Sequence, residues 1–185
     1  LPLVLFAMGN YLLHSSDQWM INAILGNADA GLYGFAYKIG MLMTGLITAL
    51  IHATNPNYYK WMNNGTFNEV VKQVQSMMKL LVLAACFLIF FAGDIGYIID
   101  YNGKVSDSLI LDPIIVLGYL FFGFTHIFNR DLYYSKRNML LFYIILVAGA
   151  INFALNYYFL YHKGEGYAVA AYTTLASYGV MFIGS

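Results

Sequence analysis

Charge is what this chain has least of. Only 10% of its 185 residues are charged, nine basic and nine acidic with no net charge, whereas 61% are hydrophobic. A soluble domain carries about 25% charged and about 45–50% apolar residues, so an ordinary water-soluble globule is excluded and an integral membrane protein is indicated. The few basic residues lie between apolar segments and form no patch, which argues against a nucleic-acid partner. Cysteine is nearly absent: Cys86 stands alone in LLVLAACFLIFFAG, which rules out a disulfide within the chain and a cysteine metal centre. Its expected role is that of a small lipid-facing or packing residue. Proline occurs three times, at Pro2, Pro56 and Pro113.

What is abundant is long apolar runs. They predict six spans, at about 1–25, 31–55, 78–99, 110–128, 139–161 and 167–185, arranged as three antiparallel hairpins. Residues 60–77 read as an amphipathic helix lying at the membrane surface. Thr66 and Glu69 are spaced as a capping box, and Phe67, Val70, Val71, Val74, Met77 and Met78 recur at helical spacing. Asn102-Gly103 marks a turn and Pro113 a helix start. Leu1 opens inside an apolar run and the last segment is still running at Ser185, so the chain reads as a piece of a longer polytopic protein.

The first two segments carry polar groups where a membrane helix should have none. Asn10, His14 and Asp17 fall at i, i+4 and i+7, one stripe on the first helix. Lys38, Gly45, Thr48, His52 and Asn55 share a face of the second, which Gly31 and Gly34 continue. Gly26 to Ala30 joins the two segments. At ~1.5 Å rise per residue, Asp17 and Lys38 lie at similar depth, roughly 10–14 Å from that turn. An isolated charge in hydrocarbon costs at least ~2.5–3.5 kcal/mol, so the two are expected to pair, or to face a wet cavity. One reading is a structural ion pair with interhelical hydrogen bonds. The other is a solvated pathway for a polar solute, lined by both stripes. Asn152 and Asn156, one turn apart on the fifth span, suit either interhelical packing or solute contact.

Basic residues set the orientation. The segments after spans two and four carry Lys60, Lys72, Lys79, Arg130, Lys136 and Arg137, against Lys104 and Lys163 on the other side. The first group is therefore expected in the cytoplasm.

The stretch DQWMINAILGNADAGLYGFAYKIG, a proline closing the next helix at Pro56, and INFALNYYFLYHKGEGYAVAAYTTLASY together resemble the second half of Wzx-type polysaccharide (O-antigen) flippases. These belong to the multidrug/oligosaccharidyl-lipid/polysaccharide exporter superfamily, and the likeness covers essentially the whole chain. It implies one six-helix lobe of a MATE-like two-lobe transporter in the bacterial inner membrane, working with a missing N-terminal half. The implied substrate is a polyprenyl-linked oligosaccharide, flipped among membrane lipids by alternating access, without enzymatic chemistry or a cofactor. Coupling to H+ or Na+ is possible in such a protein. Asp17 and Lys38 match the family's recurrent acidic and basic positions, and Asn152, Asn156 and Gly166 its late motif. Gln18 stands where many relatives carry a basic residue, and Tyr161-His162 replaces the usual Ile-Pro. The cavity expected from residues and resemblance together comprises Asn10, His14, Asp17, Lys38, Thr48, His52, Asn55, Asn152 and Asn156. In it Lys38 attracts phosphate or an acidic sugar, Asp17 holds Lys38 when the site is empty, and His14 is a candidate proton carrier. A cation-coupled multidrug exporter of the same superfamily is the nearest alternative. A membrane transferase using His52, His126 and Asp131 is a further one.

Overall fold

The computed structural model describes residues 2–99 and 110–185, and among them the chain is all helix with no strand. Six α-helices follow in order: α1 Pro2–Ile24, α2 Asn27–Asn64, α3 Phe67–Ile99, α4 Asp112–Tyr134, α5 Asn138–Asn156 and α6 Ala168–Gly184. A π-helical turn, Tyr157–His162, extends α5. Four stretches are long and apolar enough to cross a membrane: Asn27–Asn64, Phe67–Ile95, Asp112–Tyr134 and Asn138–His162. α6 is apolar but shorter. α1 falls outside this group because the run His14 to Gln18 dilutes its apolar content.

Two turns differ from expectation, and both tighten the fold. The link between α1 and α2 is only Leu25 and Gly26, since Asn27 already begins α2. Gly26 makes this reversal at φ 100°, a conformation that costs glycine little. Pro56 does not close α2, which runs on to Asn64. A proline removes one helix bond, and packing against α3 and α4 on the far side carries the helix past it. α2 ends instead at Gly65, φ 70°, where Gly65 N–H reaches Met62 O and Thr66 N–H reaches Trp61 O. This pair of bonds is the usual glycine-terminated helix end.

That turn also removes the separate surface helix expected over 60–77. Residues 60–64 finish α2, and 67–77 are the first turns of one continuous α3. Gly65 folds α3 back along α2, so Met77 is buried and Val74 packs on the core instead of facing lipid. Gln73 Nε2 donates to Thr54 O at 3.2 Å and Thr54 Oγ1 to Met77 Sδ at 3.4 Å across the same contact. In place of a capping box, the Thr66 hydroxyl turns to Trp61 O, and Glu69 pairs with Lys72 at 2.8 Å.

α4 sits centrally, packed on α2, α3 and α6, while α1 leans on α5 and α2. It runs to Tyr134, past the expected end at 128, so Arg130 belongs to a helix interior and is buried instead of standing among the loop charges. Gly40 and Gly123 let α2 and α4 approach: a Cβ at Gly40 would lie 2.5 Å from Ile115 Cγ2, and one at Gly123 3.0 Å from Ile47 Cδ1. The outward faces of α3 and α5 carry Leu83, Phe87, Phe90, Tyr143 and Leu146 in the open, a surface suited to hydrocarbon. Cys86 is exposed on α3. The Asn102-Gly103 turn and Lys104 lie outside the described residues, whereas Pro113 is the second residue of α4.

Candidate functional site

Asp17 is completely buried, and its carboxylate ties three helices to α1. Tyr33 of α2 donates its hydroxyl to Oδ2 at 2.8 Å, Asn156 of α5 donates Nδ2 to Oδ1 at 2.6 Å, and the Thr174 hydroxyl of α6 donates to Oδ2. A second layer closes round these donors. Asn152 Nδ2 reaches Thr174 Oγ1 at 3.3 Å, Ser16 Oγ donates to Asn152 Oδ1 at 3.1 Å, and the Thr173 hydroxyl donates to Asn156 Oδ1. Every group touching the carboxylate is neutral. Sharing charge with neutral donors in a dry site is costly unless a proton or cation completes it.

Lys38 is not Asp17's partner. It is exposed, and among the described residues Lys72–Glu69 is the one ion pair. The reason is direction: the residues of α2 that face α1 are Tyr33 and Tyr37, and Lys38 lies about 100° round the helix from Tyr37. Gly34 likewise leaves the polar stripe, being buried where a Cβ would collide with the Gln18 side chain. Asn152 and Asn156 are sealed between α1, α5 and α6, in the interhelical role and away from the exposed face of α2. Asn10 is half-buried on α1, and Gly166 is exposed in the loop before α6.

His14 enters an aromatic cage. Its Nδ1 lies 2.9 Å from the Tyr37 hydroxyl and 2.8 Å from that of Tyr178, with its ring stacked on Tyr119 at 5.8 Å and against Phe122 at 5.0 Å. The imidazole is thus held from four sides.

The rest of the predicted stripe lines an open cleft of about 430 Å³ between α2 and α4. Thr48, His52 and Asn55 stand on its α2 wall among Ile47, Ile51 and Tyr59, and His126, Arg130 and Tyr133 stand opposite beside Phe122. Thr48 and His52 are exposed. His52 and His126 share the cleft, but Asp131 is not on its wall; its carboxylate accepts from the Tyr58 hydroxyl. Among the described residues no group of three or more His, Cys, Asp or Glu could hold a metal ion.

Sequence reasoning missed Tyr33, Thr173, Thr174 and Arg130 as members of these two clusters. Tyr33 and Thr174 had one available signal: each sits on a helix among small residues that permit close approach. The class that the fold and clusters define is an all-helical protein with several helices apolar enough for a membrane and a polar interior cluster beside a polar cleft. Beyond the class, comparison with protein-family models, curated proteins and solved structures gives no match.

Proposed function

We propose that this protein translocates a lipid-linked oligosaccharide across the bacterial inner membrane for surface polysaccharide synthesis. Its six helices form one lobe of a two-lobe, alternating-access transporter, with the second lobe completing the cavity. One observation carries the reading: α2, long and apolar enough to span a membrane, keeps Lys38, Thr48 and His52 exposed along one side and continues them into the cleft. Polar side chains facing hydrocarbon are expensive, so such a side calls for water or a polar solute. A flippase needs one polar and one greasy face on its lobe, because the headgroup crosses while the tail stays in lipid. Lys38 attracts the phosphate or acidic sugar, and the hydroxyl and amide groups of the cleft take sugar hydroxyls.

Asp17 has a different part from the one its depth suggested. Lacking a cationic neighbour among the described residues and met only by an amide N–H and two hydroxyls, it is suited to a coupling proton, or to a sodium ion that the hydroxyl oxygens would share, held between α1, α2, α5 and α6. The buried carboxylate would serve a cation-coupled drug exporter equally well, and this is the second reading.

Deleting the gene and assaying both phenotypes separates them. Accumulation of untranslocated lipid-linked oligosaccharide with unchanged sensitivity to cationic drugs is the expected result. Drug hypersensitivity without accumulation overturns it in favour of efflux. Unaltered levels of lipid-linked sugar on both faces, with loss of a modified product, would point to the transferase.

A further inference from the structure

We infer that Arg130 is the phosphate-binding group of the α2–α4 cleft, taking a phosphate or pyrophosphate oxygen through its free guanidinium edge. Arg130 is 1% exposed. Its Nε donates to Ile127 O at 3.2 Å, and Nη1 to Thr54 Oγ1 at 3.2 Å and Gln73 Oε1 at 3.4 Å. The guanidinium carbon stands 4.3 Å over the Tyr58 ring. All these contacts are neutral. The neighbouring carboxylate, Asp131, is held by Tyr58, and among the described residues no carboxylate lies within ion-pair distance of Arg130. Among the described residues Nη2 has no hydrogen-bond partner, and Arg130 lines the cleft.

A fully paired structural arginine has no reason to leave a buried donor unused, since that omission carries the desolvation penalty of a charged group. An anion in the cleft supplies the missing acceptor, and a direct ionic partner where Asp131 acts only through space. Arginine suits phosphate because its planar fork offers parallel N–H donors, and Nε, Nη1 and the Tyr58 ring hold that fork rigid. The buried Asn55 Oδ1, also without a partner among the described residues, gives the same cleft an acceptor for a hydroxyl of the attached sugar. At about 430 Å³ the cleft is within the range of about 300–1,000 Å³ that holds small ligands. The identity of the anion as the transported headgroup rests on the translocation reading; the presence of an anion site does not.

Equilibrium dialysis of radiolabelled inorganic pyrophosphate against the full-length protein in phosphatidylcholine nanodiscs tests this. The wild type is expected to bind saturably, and Arg130→Gln to weaken binding about tenfold or more. Arg130→Lys, a point charge without the fork, should fall between them. Should Arg130→Gln fail to fold, Thr48→Trp obstructs the cleft from an exposed position while leaving every Arg130 contact in place, and should abolish binding. No saturable binding by the wild type, or binding that survives both Arg130→Gln and Thr48→Trp, makes the residue a structural arginine only and overturns the inference. Repeating the dialysis in nanodiscs with phosphatidylglycerol separates sources. Displacement by that lipid assigns the phosphate to bulk membrane and overturns its assignment to the transported headgroup; undiminished binding supports it. Pyrophosphate binding lost in Arg130→Gln, in a protein whose deletion causes no accumulation of lipid-linked sugar, keeps the anion site and removes the flippase reading.

Discussion

Asn156 donates its side-chain amide to Asp17 at 2.6 Å, joining residues 139 positions apart inside the helix bundle. The bond fastens α5 to α1, and the same carboxylate holds α2 through Tyr33 and α6 through Thr174. One acidic side chain therefore governs the relative placement of four helices, and a change in what it binds would be felt by all four.

Asp17→Ala strands three donors, at a cost of about 1–3 kcal/mol for each that stays buried and unpaired. Thermal unfolding of the purified protein in detergent should show a large drop. A fall no greater than that of an exposed alanine control would mean the cluster does not hold the helices.

The coupling-cation role predicts a sodium response that depends on the carboxylate. Replacing N-methylglucamine chloride by sodium chloride should raise the unfolding temperature of the wild type and leave Asp17→Asn unmoved. Equal shifts in both proteins remove sodium from the site; no shift in either leaves the proton as the coupling ion.

Lys38→Ala is expected to abolish surface polysaccharide export without loss of protein from the membrane. Because Lys38 is exposed and makes no ion pair among the described residues, its removal should alter stability by less than about 0.5 kcal/mol. Normal export by the variant would take the headgroup-attracting role away from Lys38.

Two glycines of α2 should respond oppositely to alanine. Gly40→Ala places a methyl 2.5 Å from Ile115 Cγ2 and 3.0 Å from Tyr119 Cδ2, and overpacking of this kind costs about 1–3 kcal/mol. Gly45→Ala meets nothing within 4 Å among the described residues and should be neutral within about 0.5 kcal/mol. Similar unfolding temperatures for the two variants would show that the α2–α4 contact is looser than described.

Orientation can be read with single cysteines. Thr66→Cys, in the turn after α2, should react with an impermeant maleimide only in inside-out vesicles, and Glu165→Cys, in the loop before α6, only in intact cells. The reverse pattern would invert the cleft and place Arg130 on the outer side.

Composition and apolar spacing alone were enough to mark where most of the helices lie and that several are apolar enough to cross a membrane, because the length and greasiness of a span are properties of consecutive residues. They also picked out Asp17, Thr48 and His52 as polar groups that needed an explanation, since a polar side chain inside an apolar run stands out in the sequence itself. Direction was another matter. One residue further along a helix turns a side chain by about 100°, so whether position 37 or 38 meets α1 is decided by how α2 leans on its neighbours. Two of the partners of Asp17 come from α5 and α6, 139 and 157 positions away, and the surroundings of Arg130 are made where Thr54 and Tyr58 of α2 meet Gln73, which the turn at Gly65 returns alongside them. Only packing of all six helices makes those meetings, and no local pattern in the chain encodes them.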